Sequence, residues 1–108
     1  MAQALATGPG IPFSVVTFIL RIEFDAAKRA ATIGARGLDM ARAADVFAGK
    51  TLTVEDDRQD YGEVRYITIG LLDKVMVVLV WTRRDDARRM ISMRRANERE
   101  RRLYGPRF

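Results

Sequence analysis

The stretch that decides the fold is residues 63–94, EVRYITIGLLDKVMVVLVWTRRDDARRMISMR. Residues 63–69 alternate as a strand does, with Tyr66 on one face and Arg65 on the other. Residues 75–81 are continuously apolar, which is typical of a central strand covered on both faces. Residues 88–94 fit an outer strand, with Met90 and Ser92 on one face and Ile91 and Met93 on the other. Turns are predicted at residues 70–74 and 83–86. The stretch therefore predicts an antiparallel meander.

The segments around this meander add helices. Asp25 is a predicted N-cap for a helix that Gly34 and Gly37 end, and Asp39 is a predicted N-cap for a second. Asn97 can cap a last helix, which Gly105-Pro106 ends. Further strands are predicted at residues 51–54 and 13–24. The prediction is one α+β domain over residues 20–108, with two N-terminal helices, a three- to four-stranded antiparallel sheet and a C-terminal helix; residues 1–19 form an N-terminal extension that includes part of a strand.

Positive charge is concentrated at the C-terminal end of the chain. Residues 1–82 hold 9 basic and 10 acidic side chains, whereas residues 83–108 hold 10 arginines and 4 acids. Arginine grips phosphate with a planar fork and stacks on bases. This distribution indicates contact with a polyanion, most simply RNA or DNA. A solvated helix face, or a surface covered by an acidic partner protein, would give the same pattern.

The residue types that the chain lacks exclude several chemistries. The sequence contains neither cysteine nor histidine, which excludes disulfides, thiol catalysis, a serine–histidine triad and histidine-ligated zinc. Asp56, Asp57 and Asp60 lie in a polar turn where nothing fixes their oxygens, so we expect no metal ion and no other cofactor. No apolar run is long enough for a transmembrane helix, and no basic residue precedes the apolar segment at 11–20. The cytoplasm is therefore the expected location.

Four sequence motifs occur in the order found in a known family. They are Glu23–Lys28 (EFDAAK), residues 63–70 (EVRYITIG), residues 78–83 (VLVWTR) and residues 89–96 (RMISMRRA), followed by Glu98, Arg99 and Tyr104. From about Arg21 to Tyr104 the chain resembles the BrnT family of type II toxins, small ribonucleases with a RelE-like fold. The sequence departs from that pattern at two positions. Ala35-Arg36-Gly37 stands where the family usually has Lys-His-Gly, and Thr32 stands where it has asparagine.

The resemblance implies a toxin that cleaves RNA and arrests translation. It implies a cognate antitoxin of BrnA type, with a ribbon-helix-helix DNA-binding domain, and operator DNA bound through that antitoxin. Cleavage without metal needs a base for the 2′-hydroxyl, cations for the phosphorane charge and an acid for the leaving 5′-oxygen. The catalytic candidates are Arg65, Arg84, Arg89, Arg94, Glu98 and Tyr104. The RNA-binding candidates are Lys28, Arg36, Tyr66, Trp81, Thr82 and Ser92.

Two other functions are compatible with the same residues. The chain would be a non-catalytic nucleic-acid-binding module if the arginines only bind phosphate. It would be an antitoxin-binding module if its basic surface only receives an acidic partner. Several candidates also have structural alternatives: Arg65 can form an ion pair with Glu63, Glu98 an ion pair with Arg94 or Arg102, and Trp81 can belong to the core.

Overall fold

The computed structural model describes residues 20–108, which form a five-stranded sheet with helices on both faces. The strands are β1 (Arg21–Glu23), β2 (Thr51–Asp56), β3 (Arg65–Leu72), β4 (Val75–Arg84) and β5 (Ala87–Arg95). The α-helices are α1 (Ala26–Arg36), α2 (Ala43–Phe47) and α3 (Glu98–Tyr104), with 3-10 turns at Met40–Arg42 and Gly105–Arg107. The α+β class is confirmed. Of the strand predicted over residues 13–24, the structure shows Arg21–Glu23, and residues 13–19 lie outside the described part of the chain.

The sheet has the order β1-β5-β4-β3-β2. The meander β2 to β5 is antiparallel, as predicted, but β1 pairs parallel with β5 through Arg21–Ala87 and Glu23–Arg89. The prediction of a three- to four-stranded, purely antiparallel sheet was therefore wrong. β5 is not an outer strand, because β1 occupies the edge beside its first three residues.

Two clusters of apolar side chains cover the two faces of the sheet. On the α2 face, the larger cluster contains Val46, Leu79, Trp81 and Met93. On the α3 face, a smaller cluster contains Ile69 and Val78, against which Tyr104 and Phe108 pack. Gly70 lies in β3 and not in the predicted turn, and a Cβ built there would stand 2.7 Å from the Val46 side chain. α2 can approach the sheet closely because this residue is glycine.

The helix ends follow the predicted capping residues. The Asp25 carboxylate accepts from the Lys28 amide, and Gly37 ends α1 with a φ of 67°. Gly34, predicted as a stop, lies inside α1 instead. Asp39 caps the 3-10 turn that leads into the short helix α2, and Asn97 forms a capping box with Glu100 at α3. Each cap satisfies backbone groups that a helix end leaves unpaired.

A one-residue register shift in β5 decides which of its side chains share a face. Val80 pairs with Ser92 and Trp81 pairs with Met90, so Ile91 has no partner. Met90 and Met93 therefore both enter the α2-face core, and the predicted grouping of Met90 with Ser92 was wrong. Such bulges re-aim the side chains that follow them. Because of the shift, Ser92 and Arg94 lie on the α3 face, the same face as Arg89.

Candidate functional site

A row of polar side chains crosses the α3 face of the whole sheet. The strand registers place Asp56 opposite Arg65, Arg65 opposite Thr82, Thr82 opposite Arg89, and Arg89 opposite Glu23. Side chains of directly paired residues stand next to each other on one face. The guanidinium groups of Arg65 and Arg89 thus flank Thr82. All three residues lie at the end of the sheet opposite the Asp73-Lys74 turn that joins β3 to β4.

Neighbouring side chains hold Arg65 in place. Its Nε donates to Glu63 Oε2 at 3.1 Å, and its guanidinium lies 4.0 Å from the centre of the Tyr61 ring. The side chain remains 26% exposed. Arg65 therefore has the predicted ion pair with Glu63 and also presents a guanidinium edge to solvent, which is what contact with a phosphate requires.

The other members of the row differ in their exposure to solvent and in their hydrogen bonds. Arg89 is half-buried, and its Nη1 lies 3.5 Å from Glu23 Oε1. Thr82 is buried, and its hydroxyl donates to the Val64 carbonyl at 2.7 Å. Its proton is thus already used within the protein, which does not favour the predicted role of Thr82 as an RNA-binding residue. Arg84 is exposed and lies opposite Ala87, one row further along the same face.

A buried carboxylate at the β2 end of the row was missed by sequence reasoning. Asp56 is buried and accepts from Arg58 Nε at 2.7 Å, Arg58 Nη2 at 2.8 Å and the Tyr61 hydroxyl at 3.2 Å. The hydrogen bonds from Arg58 lower the pKa of Asp56 to about 2. Because the Tyr61 ring contacts Arg65, Asp56 indirectly fixes the position of that guanidinium. The sequence signal was Asp56, Arg58 and Tyr61 at short spacing, which we interpreted only as a polar turn.

The low pKa of Asp56 predicts a loss of stability in acid. Its pKa in the folded chain is about 2 and that of an unfolded chain is about 3.9, so the stabilisation is complete above about pH 4 and is lost as the pH falls towards 2. In Asp56→Asn the thermal midpoint should be lower at pH 7 and should fall less between pH 5 and pH 2. Asp57→Asn, at an exposed neighbour, is the control and should keep the wild-type slope. An unchanged acid slope in Asp56→Asn would contradict this assignment.

A depression of about 560 Å³ lies between the sheet and α3. Arg94 stands at its side and binds Glu100 through two hydrogen bonds of 2.8 Å. This contact raises the pKa of Arg94 and lowers that of Glu100 to about 2. The depression is lined by Val54, Arg58, Ile67, Ile69, Val78, Val80, Ser92, Arg94, Asn97, Arg99, Glu100, Leu103 and Tyr104. It therefore combines an apolar floor with a basic rim.

The structure brings some further candidates to this depression and leaves others away from it. Ser92 and Tyr104 line it, as does Arg58, which we did not predict. Glu98 does not line it: its side chain is 75% exposed and lies 3.6 Å from Arg102. The acid that contacts Arg94 is Glu100, so the prediction of Glu98 as a catalytic residue is not supported by its position.

Lys28 and Arg36 lie on α1, beside the part of β5 that β1 does not cover. They line a shallow groove of about 300 Å³ that Ser92 also borders. Arg36, at the position of the missing family histidine, donates from Nη1 to the Met93 carbonyl at 2.8 Å. Part of its guanidinium thus closes the free edge of β5. Lys28 remains exposed.

Tyr66 and Trp81 lie on the α2 face, opposite the polar row. Trp81 is 8% exposed, and its Nε1 donates to Thr68 Oγ1 at 2.8 Å. The Tyr66 ring packs 4.7 Å from it, and Phe47 packs against its edge. The structure does not favour the predicted stacking of RNA bases on these two residues, because Trp81 is buried and the partly buried Tyr66 packs against it on the face opposite the polar row.

The described part of the chain also bears on metals and membranes. Within residues 20–108, no group of three or more carboxylates converges as a metal site would require. None of the helices in that range combines the length and the apolar character needed to cross a bilayer.

The fold and the site together define a class: a small α+β protein whose open sheet face presents arginines for phosphate. The profile of the family described as "Ribonuclease toxin, BrnT, of type II toxin-antitoxin system" matches residues 24–100. The chain belongs to this family. It is accordingly a ribonuclease toxin, with RNA as its target and a cognate antitoxin as its partner. A search of curated proteins gives no significant match to the chain.

Proposed function

We propose that the protein is a metal-independent endoribonuclease that cleaves RNA on the α3 face of its sheet and thereby inhibits translation. One observation carries the proposal: Arg65 and Arg89 flank Thr82 in a single row, beside a basic depression that holds Arg94. No cofactor is needed for this reaction, because the 2′-hydroxyl of RNA is itself the nucleophile.

The reaction is a transfer of the phosphoryl group within the substrate. The 2′-oxygen attacks phosphorus and loses its proton, the bond from phosphorus to the 5′-oxygen breaks, and the 5′-oxygen takes a proton. The products are a 2′,3′-cyclic phosphate and a 5′-hydroxyl. Negative charge builds up on the non-bridging oxygens in the transition state. Cations that the protein already holds in position stabilise this charge without having to reorganise. We assign this role to Arg65 and Arg89, with Arg84 and Arg94 on the adjoining phosphates.

The proton transfers fall to groups other than histidine. Tyr104 lines the depression beside Arg94, and we propose it as a proton donor or acceptor. Glu63 contacts Arg65 and Glu23 contacts Arg89, so each carboxylate stands next to a proposed phosphate ligand and is a candidate base. Glu100 is a poor base, because Arg94 lowers its pKa to about 2. Catalysis therefore depends mainly on positioning and charge.

The same surface offers a path for the RNA chain. The polar row binds the scissile phosphate, and the apolar floor of the depression accepts a base. Arg36, Lys28 and Ser92 extend the basic surface along the α1 groove, where a neighbouring phosphate would bind. Family resemblance further supports an antitoxin of BrnA type with a ribbon-helix-helix domain, through which the complex would bind operator DNA.

Cleavage of labelled RNA in EDTA tests this function. Toxin freed from antitoxin, without ribosomes, should give fragments that end in 2′,3′-cyclic phosphate, at a rate that added Mg²⁺ does not change. Cleavage that requires Mg²⁺ would contradict metal independence. Intact RNA that the protein retains would favour the non-catalytic binding module, unless adding ribosomes restores cleavage.

A further inference from the structure

Two arginines stand directly opposite each other on the α2 face, away from the proposed RNA site. Arg83 of β4 pairs with Arg88 of β5, in the row that follows Trp81 and Met90. Arg83 is exposed and Arg88 is half-buried. Like charges at directly opposed positions of a sheet destabilise it. This pair therefore needs a counter-charge or another explanation.

Arg88 is held in an apolar environment. Its guanidinium lies 3.9 Å from the centre of the Phe47 ring and 5.2 Å from that of Trp81. Its Nε is buried without a hydrogen-bond partner. Burial, and then the charge of Arg83, lower the pKa of Arg88. The two rings offset part of this cost through cation–π contact, but they do not bind the Nε proton.

No carboxylate of residues 20–108 forms an ion pair with Arg83 or Arg88. Arg83 Nε donates to the Asp85 main-chain carbonyl at 2.9 Å, and the charge of Arg83 helps to lower the pKa of Asp86. Residues 1–19 contain neither aspartate nor glutamate, so that segment brings no side-chain carboxylate either. A carboxylate in direct contact with this pair would therefore belong to another molecule.

We propose that the Arg83–Arg88 pair is a docking site for an aspartate or glutamate side chain of the antitoxin. The fork of Arg88 and the neighbouring Arg83 suit a carboxylate, which two guanidinium groups can bind from both sides. Phe47 contacts Arg88 directly, and Tyr66 packs against Trp81 beside it. Both residues are only partly buried, and arginine with aromatic side chains is the composition enriched at protein–protein interfaces. The proposal depends on the antitoxin that family membership implies, and not on the mechanism of cleavage.

RNA is the less favoured ligand because of where the pair lies. The proposed phosphate ligands Arg65, Arg89 and Arg94 all face the other side of the sheet. An RNA chain that contacted both those arginines and Arg88 would have to pass around the edge of the sheet. The antitoxin is under no such constraint, since it can bind either face.

Arg88→Met tests the proposal, because methionine keeps most of the apolar contact and removes the charge. Affinity for the cognate antitoxin, measured by calorimetry with the purified proteins, should fall tenfold or more. Arg83→Met should give a smaller loss in the same direction, since Arg83 is exposed. The rate of RNA cleavage by the free toxin should stay at the wild-type value. Arg42→Met is the control: it removes an arginine that Asp45 and Asp73 already pair with, and antitoxin affinity should not change.

The thermal midpoint of Arg88→Met distinguishes a role of Arg88 in antitoxin binding from a role in stabilising the fold. Arg88→Met should leave the thermal midpoint of the free toxin unchanged or raise it, because it removes a desolvated charge and a like-charge contact. A large drop in midpoint, unchanged antitoxin affinity in both variants, or a loss of RNA cleavage would each overturn the proposal. If Arg88→Met does not fold, Arg83→Met decides between the same outcomes. Replacing each antitoxin acid by lysine should identify one whose effect disappears in Arg88→Met.

Discussion

Replacing Arg65 by alanine is expected to lower the rate of RNA cleavage about 100- to 1,000-fold, the range found when one pre-positioned donor to a developing charge is removed. The reason is geometric. Arg65 is the first residue of β3, between β2 and β4, and contacts with Glu63 and the Tyr61 ring fix its guanidinium. Such a group needs little reorganisation when charge develops on the phosphate. The measurement is the single-turnover cleavage rate with saturating toxin, together with RNA affinity from filter binding.

Two further variants test whether the loss of rate is specific to the guanidinium group of Arg65. Arg65→Lys keeps the charge but lacks the planar fork, so its rate should lie between those of wild type and Arg65→Ala. Arg42→Ala removes an arginine that lies beside the Asp73 turn at the other end of the sheet, and should cleave at the wild-type rate. RNA affinity should fall only a few-fold in Arg65→Ala, because several arginines share the phosphates. Equal losses of affinity and rate would instead favour a binding module.

Local signals in the sequence were sufficient for most elements of the fold. Asp25, Gly37 and Asn97 mark helix ends because capping is a contact between residues three or four positions apart. The apolar run 75–81 marks the central strand because a strand covered on both faces has no polar side. Information of this kind lies within a few residues of the element that it predicts.

Other features could not be read in this way, because they depend on distant pairing. β1 is three residues long and becomes a strand only through its parallel contact with β5, more than sixty positions away. The unpaired residue Ile91 in β5 also has no local signature. It nevertheless decides the site, because without the shift Arg94 would face away from Arg89. Sequence reasoning therefore could not predict which of the candidate residues share a face of the sheet.

For the aromatic candidates Tyr66 and Trp81, the deciding property is the face of the sheet on which each side chain lies. Alternation along β3 already places Tyr66 opposite to Arg65, so the two residues cannot both contact RNA on one sheet face. Trp81 pairs with Tyr66 across the strands and follows it to the α2 face. Conversely, Arg65 is supported by Asp56 at the end of β2 and by Tyr61 in the loop that follows, and no periodic pattern marks either residue.

Replacing Trp81 by alanine is expected to destabilise the protein by about 3–5 kcal/mol, the usual cost of removing a buried large aromatic side chain. Its ring packs against Phe47 and Tyr66. Typical domains have only about 5–15 kcal/mol of stability, so this variant should be largely unfolded near its former thermal midpoint. Urea unfolding followed by circular dichroism measures the change.

A conservative change isolates the hydrogen bond and decides what Trp81 does. Trp81→Phe keeps an aromatic ring but removes the donor to Thr68 Oγ1, and should cost about 1 kcal/mol or somewhat more. Thr68 keeps its contact with the Thr53 hydroxyl at 2.7 Å, which limits the loss. The folded Trp81→Phe toxin should bind and cleave RNA as wild type does. A variant of wild-type stability that has lost RNA affinity would instead show that Trp81 stacks on a base, and the assignment of the α2 face to the core would then be wrong.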